Sequence, residues 1–147
     1  MHIPATAKRV PQNTSREINE RIERRTRMRI RWYEDHPEQI DTRLRELDHE
    51  WSTERVLETN AGTLACTGAV LALTVDTKWA LLPAIVGGFL AQHGVQGWCP
   101  PLPVIRAMGY RTPQEIEAER YALLDIKGRP PLSAWPAARS RSNDRRA

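Results

Sequence analysis

With 147 residues, 22 lysines and arginines, 18 acidic residues and a formal net charge of +4, the chain has room for one small assembly and not for several domains. Its two cysteines, Cys66 and Cys99, are too far apart for a Cys-x-x-Cys redox pair or a zinc pattern, and none of the four histidines stands at metal-ligand spacing from another His or a Cys. The composition of a basic soluble protein is an average over unlike parts, because from Thr59 to Ile105 the only formal charges are Asp76 and Lys78.

In chain order, residues 1–55 read as a charged helical region. Met1–Pro11 is expected to be a flexible tail. Thr14-Ser15-Arg16-Glu17 has capping-box spacing, so a helix is expected there with Thr14 as cap and Glu17 reaching back. Ile18, Ile22, Met28 and Trp32 fall on one side of it, interrupted by Arg25 and Arg29. His36-Pro37 should break that helix, because proline lacks the backbone donor and restricts its predecessor. From Pro37 a second helix places Ile40, Leu44, Leu47 and Trp51 in a narrow apolar stripe and is expected to run on into the apolar segment.

Residues 56–105 predict a transmembrane hairpin. Val56–Val75 and Trp79–Trp98 are apolar runs separated by Asp76-Thr77-Lys78, and as helices each would span about 30 Å, the thickness of a hydrocarbon core. A buried hairpin of a soluble protein is the competing reading, since the first run contains four threonines and Asn60. Against it, neither run has the polar face of a surface helix, and Trp51, Trp79 and Trp98 mark the ends of the runs as interfacial anchors do. Arg43, Arg45, Arg55, Arg106 and Arg111 flank the outer ends, while Asp76 balances Lys78 in the turn. The positive-inside rule then places both termini in the cytoplasm. Residues 1–30 are too charged for the apolar core of a signal peptide.

Small-residue pairs on both runs, such as Gly68/Ala72 and Ala84/Gly88, are expected at helix–helix contacts. An antiparallel depth count sets Asn60 level with Gln92, His93 and Gln96 and predicts hydrogen bonds among them. The same count holds Cys66 and Cys99 too far apart in depth for a disulfide. Cys66 is expected to be an inert buried residue and Cys99 a structural turn residue near Arg55 or Arg106.

Residues 106–147 complete the chain. Pro100, Pro101 and Pro103 predict an extended exit. Thr112-Pro113-Gln114-Glu115 then restarts a helix with a full capping box. Ile116, Tyr121, Leu123 and Leu124 give it an apolar side, and Gly128 suits its end. From Arg129 onward the composition predicts disorder. The fold class expected is therefore an all-α membrane protein, an antiparallel two-helix hairpin with flanking cytoplasmic helices.

Glu54-Arg55-Val56-Leu57, the glycine-containing first run and Gly97-Trp98-Cys99-Pro100 at the end of the second resemble the YgaP-like two-helix inner-membrane family. Met108-Gly109-Tyr110-Arg111-Thr112 and Glu119-Arg120-Tyr121-Ala122-Leu123 resemble its longer stand-alone members. The resemblance covers roughly Glu54 to Gly128. It implies a bacterial inner-membrane hairpin that tends to dimerise, and no settled activity. The chain lacks the rhodanese domain found in the protein that names the family, so sulfur transfer does not carry over.

The sequence offers no catalytic, cofactor-binding or metal-binding constellation, no Gly-rich phosphate loop and no nucleophile elbow. Its carboxylates sit among arginines at helical spacings, which predicts exposed ion pairs. The run Arg24-Arg25-Thr26-Arg27-Met28-Arg29-Ile30-Arg31, partly neutralised by Glu17, Glu20, Glu23 and Glu34, suits anionic lipid headgroups and a topology signal better than nucleic acid. The expected partners are the lipid bilayer, its anionic headgroups and a second copy or another membrane protein. The expected role is that of a structural or accessory membrane component acting by helix association. The alternative is a thiol- or sulfur-handling component using Cys99. Two helices per chain disfavour a transporter acting alone.

Overall fold

The computed structural model describes residues 8–128 and is all-α. Its helices are α1 (Arg9–Gln12), α2 (Arg16–Asp35), α3 (Ile40–His49), α4 (Thr53–Thr74), α5 (Leu81–Gln96), α6 (Leu102–Ala107) and α7 (Pro113–Gly128). Single 3-10 turns, Pro37–Gln39 and Thr77–Ala80, precede α3 and α5. The tail expected over Met1–Ala7 and the disorder expected from Arg129 lie outside the described residues.

The apolar half of the chain forms a helical hairpin. The Asp76 side chain caps the turn by accepting from the Lys78 N–H at 2.8 Å, and α5 returns along α4. Close to the turn the helices touch at Gly68: a Cβ there would lie 2.6 Å from Pro83 Cδ and 3.0 Å from Leu82 Cβ. Gly68 is the glycine that this approach requires. Gly62, Gly87 and Gly88 have nothing within 4 Å of an added Cβ, so Gly88 is not a contact within the hairpin as its spacing predicted.

The charged half forms a cap at the open end of the hairpin, with two small cores. Val10, Val56, Leu57, Cys99, Leu102 and Ile105 make one, and Ile40, Leu47, Ile116 and Leu123 the other. In α7 the expected apolar side is narrower than predicted, because Tyr121 and Leu124 are exposed. Its capping box is complete: Thr112 N–H donates to Glu115 Oε2 at 2.8 Å and Glu115 N–H to Thr112 Oγ1 at 3.2 Å. The break at His36-Pro37 also stands where the sequence places it.

Four local expectations are corrected. Ser15, not Thr14, caps α2, accepting from Ile18 N–H; Thr14 turns back to donate to Val10 O at 2.8 Å. Lys8–Pro11 is no free tail, because α1 docks on the end of α5 with Val10 buried. Arg9 donates to Gly94 O and Asn13 to Gln96 O. Gly97 permits this docking twice over: its φ is +76°, and a Cβ would lie 2.6 Å from Arg9. Helix α3 does not run on into α4. The chain turns extended at Glu50, where the Thr53 N–H reaches Arg111 O at 2.7 Å, and Ser52 caps α4 afresh. Finally, the prolines after Trp98 start α6 instead of forbidding it, since Pro101 and Pro103 fall at its cap and first turn, where no backbone donor is missed.

Candidate functional site

Three features could carry function: the hairpin surface, a groove at its base and the ionic cluster that fixes the cap to it. The hairpin surface is apolar and uncovered. Only 11% of the most apolar stretch of α4 is buried inside the chain, and Leu73, Val75, Leu81 and Ile85 are among the exposed residues. Four polar side chains of α4 satisfy themselves along their own helix. Thr63 donates to Thr59 O, Thr67 to Thr63 O and Thr74 to Val70 O, each at 2.8 Å, and Asn60 donates to Val56 O at 2.9 Å. These bonds remove the polar cost that threonine-rich helices would otherwise carry in an apolar surrounding.

Asn60 therefore does not bond to the Gln92/His93/Gln96 group. Gln92 pairs with Gln96 on its own helix at 3.4 Å, and His93 is buried with no hydrogen-bond partner for either ring nitrogen among the described residues. The side chain that an antiparallel count places at the right depth points elsewhere around the helix.

The groove, about 630 Å³, lies where α4 and the middle of α5 meet α6. Leu64 and Val86 line it toward the hairpin, and Val104, Met108 and Tyr110 at its base. Asn60 is the one amide side chain on its wall. Cys99 also borders it, yet only 1% of that residue is accessible, and it packs in the core formed by Val10, Val56 and Leu57. Cys66 lies exposed on the outer surface of α4, not packed between helices. Both cysteines are free thiols. Among the described residues no three His, Cys, Asp or Glu side chains gather as a metal site.

Glu20 and Glu23 form the exposed i,i+4 pairs that the spacing predicts, with Arg16, Arg24 and Arg27, but the ionic cluster departs from that expectation. Glu119 of α7 is fully buried and receives Arg43 at 2.9 Å, Arg29 at 3.0 Å and Arg111. Arg111 in turn grips Glu50 bidentately at 2.7 Å. Burial pushes the Glu119 carboxyl up, but hydrogen bonds from Arg29 and Arg43 and the charge of Arg111 outweigh it and hold the group at about 2. A second buried guanidinium, Arg106, binds Glu115 bidentately at 2.7 and 2.8 Å, Tyr110 O at 3.0 Å and Asn19 Oδ1 at 2.9 Å. Together they tie α2, α3 and α7 to the loops that begin α4 and end α6. Arg106 and Arg111, which the sequence presents as flanking charges, are thus interior struts.

The basic run of α2 divides in the same way. Arg24 pairs with Glu20, Arg27 with Glu23 and Arg29 with Glu119, whereas Arg25 and Arg31 have no acidic partner among the described residues. Arg21 and Arg55 likewise lack one: Arg21 donates to Ala107 O at 3.0 Å and Arg55 lies over the Trp51 ring at 4.7 Å. The cluster was missed because the pairs Arg29–Glu119, Arg43–Glu119 and Arg111–Glu50 are 61 to 90 positions apart in sequence. The one local signal is Glu119 itself, a carboxylate on the same helix face as Ile116 and Leu123.

No protein-family model, curated protein or solved structure matches this chain, so the YgaP-like resemblance rests on the residues quoted for it.

Proposed function

We propose that this chain is a YgaP-like two-pass protein of the bacterial inner membrane, with both termini cytoplasmic, acting by helix association as a structural or accessory component. The observation that carries the reading is the uncovered apolar surface of the hairpin. A soluble core helix is covered by its own chain, and α4 is not. Thr63, Thr67, Thr74 and Asn60 bond internally, as polar groups in hydrocarbon must. Trp51, Trp79 and Trp98 are exposed near the hairpin's two ends, where indoles favour the headgroup layer. Of the two helices only α4 is by itself long and apolar enough to cross. Helix α5 has 16 residues, about 24 Å, and the four-residue 3-10 turn before it extends the run to about 32 Å. Ion pairing of Arg106 and Arg111 does not weaken the topology argument, because the positive-inside rule counts basic residues and not net charge. Cys99, the basis of a sulfur-handling role, is packed in a core and has no access to a substrate in this conformation.

The test is membrane extraction followed by topology mapping. The protein should remain in the membrane fraction after alkaline wash. In a background lacking Cys66 and Cys99, an impermeant maleimide applied to spheroplasts should label Thr77→Cys and spare Glu38→Cys until lysis. Recovery in the soluble fraction, or the opposite labelling, contradicts the reading.

A further inference from the structure

We propose that the groove at the base of the hairpin is a binding site for one anionic phospholipid, with an acyl chain along the groove and the headgroup phosphate on Arg21 and Arg25. The inference rests on the membrane reading above and adds to it a lipid of defined charge.

The groove has the size of a small-molecule site and is almost wholly apolar. It is also graded. Leu64 and Val86 face it from the depth of the hairpin, while Val104, Met108 and Tyr110 form its cytoplasmic end. Beside that end run the two guanidiniums. Arg21 is held by Ala107 O at 3.0 Å, and Arg25 Nη1 lies 3.8 Å from where a Cβ on Gly109 would stand. These two backbone positions flank Met108. Neither arginine has an acidic partner among the described residues, although most of their neighbours on α2 do. Of the three α2 arginines left without an acidic partner among the described residues, two, Arg21 and Arg25, are therefore at the groove's end. The same face of α2 continues from Arg21 and Arg25 to Met28 and Trp32 at 4-3-4 spacing, and both of those apolar side chains are exposed. The half-buried Arg21 and exposed Arg25 beside exposed Met and Trp, next to the exposed Val104 and Met108, form a surface suited to the headgroup layer. A phosphodiester there would meet planar donors able to bind it by two N–H groups. A zwitterionic lipid offers the same phosphate but brings its own cation to it, so the site should discriminate by net headgroup charge.

Native mass spectrometry of the full chain in mild detergent can test this by titration with phosphatidylglycerol or phosphatidylcholine of identical acyl chains. We expect one phosphatidylglycerol to bind about tenfold or more tightly than phosphatidylcholine, because only its charge is uncompensated. Arg21→Gln with Arg25→Gln should bring the two lipids within about twofold, while Arg31→Gln, a free cation away from the groove, should leave the preference intact. Ala61→Trp, which fills the groove, should weaken both lipids. Thermal unfolding of each variant confirms that the fold persists. Equal binding of the two lipids by the parent protein, or a preference that survives loss of Arg21 and Arg25, overturns the site. So does a preference lost equally in Arg31→Gln. A protein that stays in the membrane but shows no preference refutes the lipid site alone; one recovered as soluble refutes the membrane reading with it.

Discussion

The cap and the hairpin are stabilised by opposite means. The cap concentrates its specificity in a few buried charges: one carboxylate with three guanidiniums, and one guanidinium with a carboxylate, an amide and a carbonyl. The hairpin has almost none. Its close contact is a glycine against a proline and a leucine, and its polar side chains turn back on their own helix. In water the hairpin surface would be a large exposed apolar patch of the kind that marks a membrane or partner contact. A chain built this way keeps its charge network inside the cap and leaves the apolar surface of the hairpin uncovered.

The largest effect expected is from Glu119→Ala. Removing one carboxylate leaves Arg29, Arg43 and Arg111 facing one another in a buried site, and breaking such a network costs about 3–5 kcal/mol. Hydrogen exchange should show α2, α3 and α7 loosening while α4 amides near Gly68 keep their protection. If both regions open together, the cap and hairpin are one cooperative unit and the contrast fails.

Acid should produce a related but smaller change. The carboxyl of Glu119 is held at about 2 against an ordinary value of 4.5. A depressed value in the folded state means that its stabilisation is complete above about 4.5 and is lost as pH falls toward about 2. The shift corresponds to something on the order of 3 kcal/mol. Thermal unfolding followed from pH 5 down to pH 2 should show this loss, and Glu119→Gln should flatten that part of the profile.

Gly68→Leu probes the other region. The new side chain meets Pro83 and Leu82, so the helices must separate, at a cost of about 1–3 kcal/mol. Gly88→Leu meets nothing and should leave the hairpin unchanged. Cross-linking between cysteines placed on α4 and α5 near the turn distinguishes the two. Equal disruption by both would mean that Gly88 makes a contact between copies.

Thr112→Ala should have the smallest effect, about 1 kcal/mol, by removing one arm of the capping box of α7. Urea unfolding read from the cap is sensitive enough to detect it.

These contrasts also explain what could be read in the sequence. Signals that act within a few residues were legible: the capping box at Thr112, the break at His36-Pro37 and the Asp76 turn. The second apolar run, read as one helix over Trp79–Trp98, instead begins in a 3-10 turn, and α5 spans only Leu81–Gln96. Local reading went wrong where two nearby residues compete for one role, as Thr14 and Ser15 do for the cap of α2. It also failed where prolines serve the first turn of a helix rather than its exclusion, as at Pro101 and Pro103. The docking of α1 was not legible because its reason, the bare backbone of Gly97, touches Arg9 in the fold but lies far from it along the chain. Of the partners of Glu119, Arg29 and Arg43 were hidden for the same reason. Many arginines could pair with it by charge, and only the packing of α2, α3 and α7 selects Arg29, Arg43 and Arg111. For the groove, the apolar wall was visible as composition, but its alignment with Arg21 and Arg25 depends on α6 lying beside α2.

The most direct test of the account is solvent accessibility along the hairpin in a lipid bilayer. Spin labels at Val70, Leu73 and Ile85, exposed positions of α4 and α5, should relax readily with oxygen dissolved in the lipid and weakly with a water-soluble nickel chelate. A label at Glu38 in the cap should show the reverse. Strong relaxation by the chelate at the three hairpin positions would mean that water covers the apolar surface, and would contradict the central claim that lipid does.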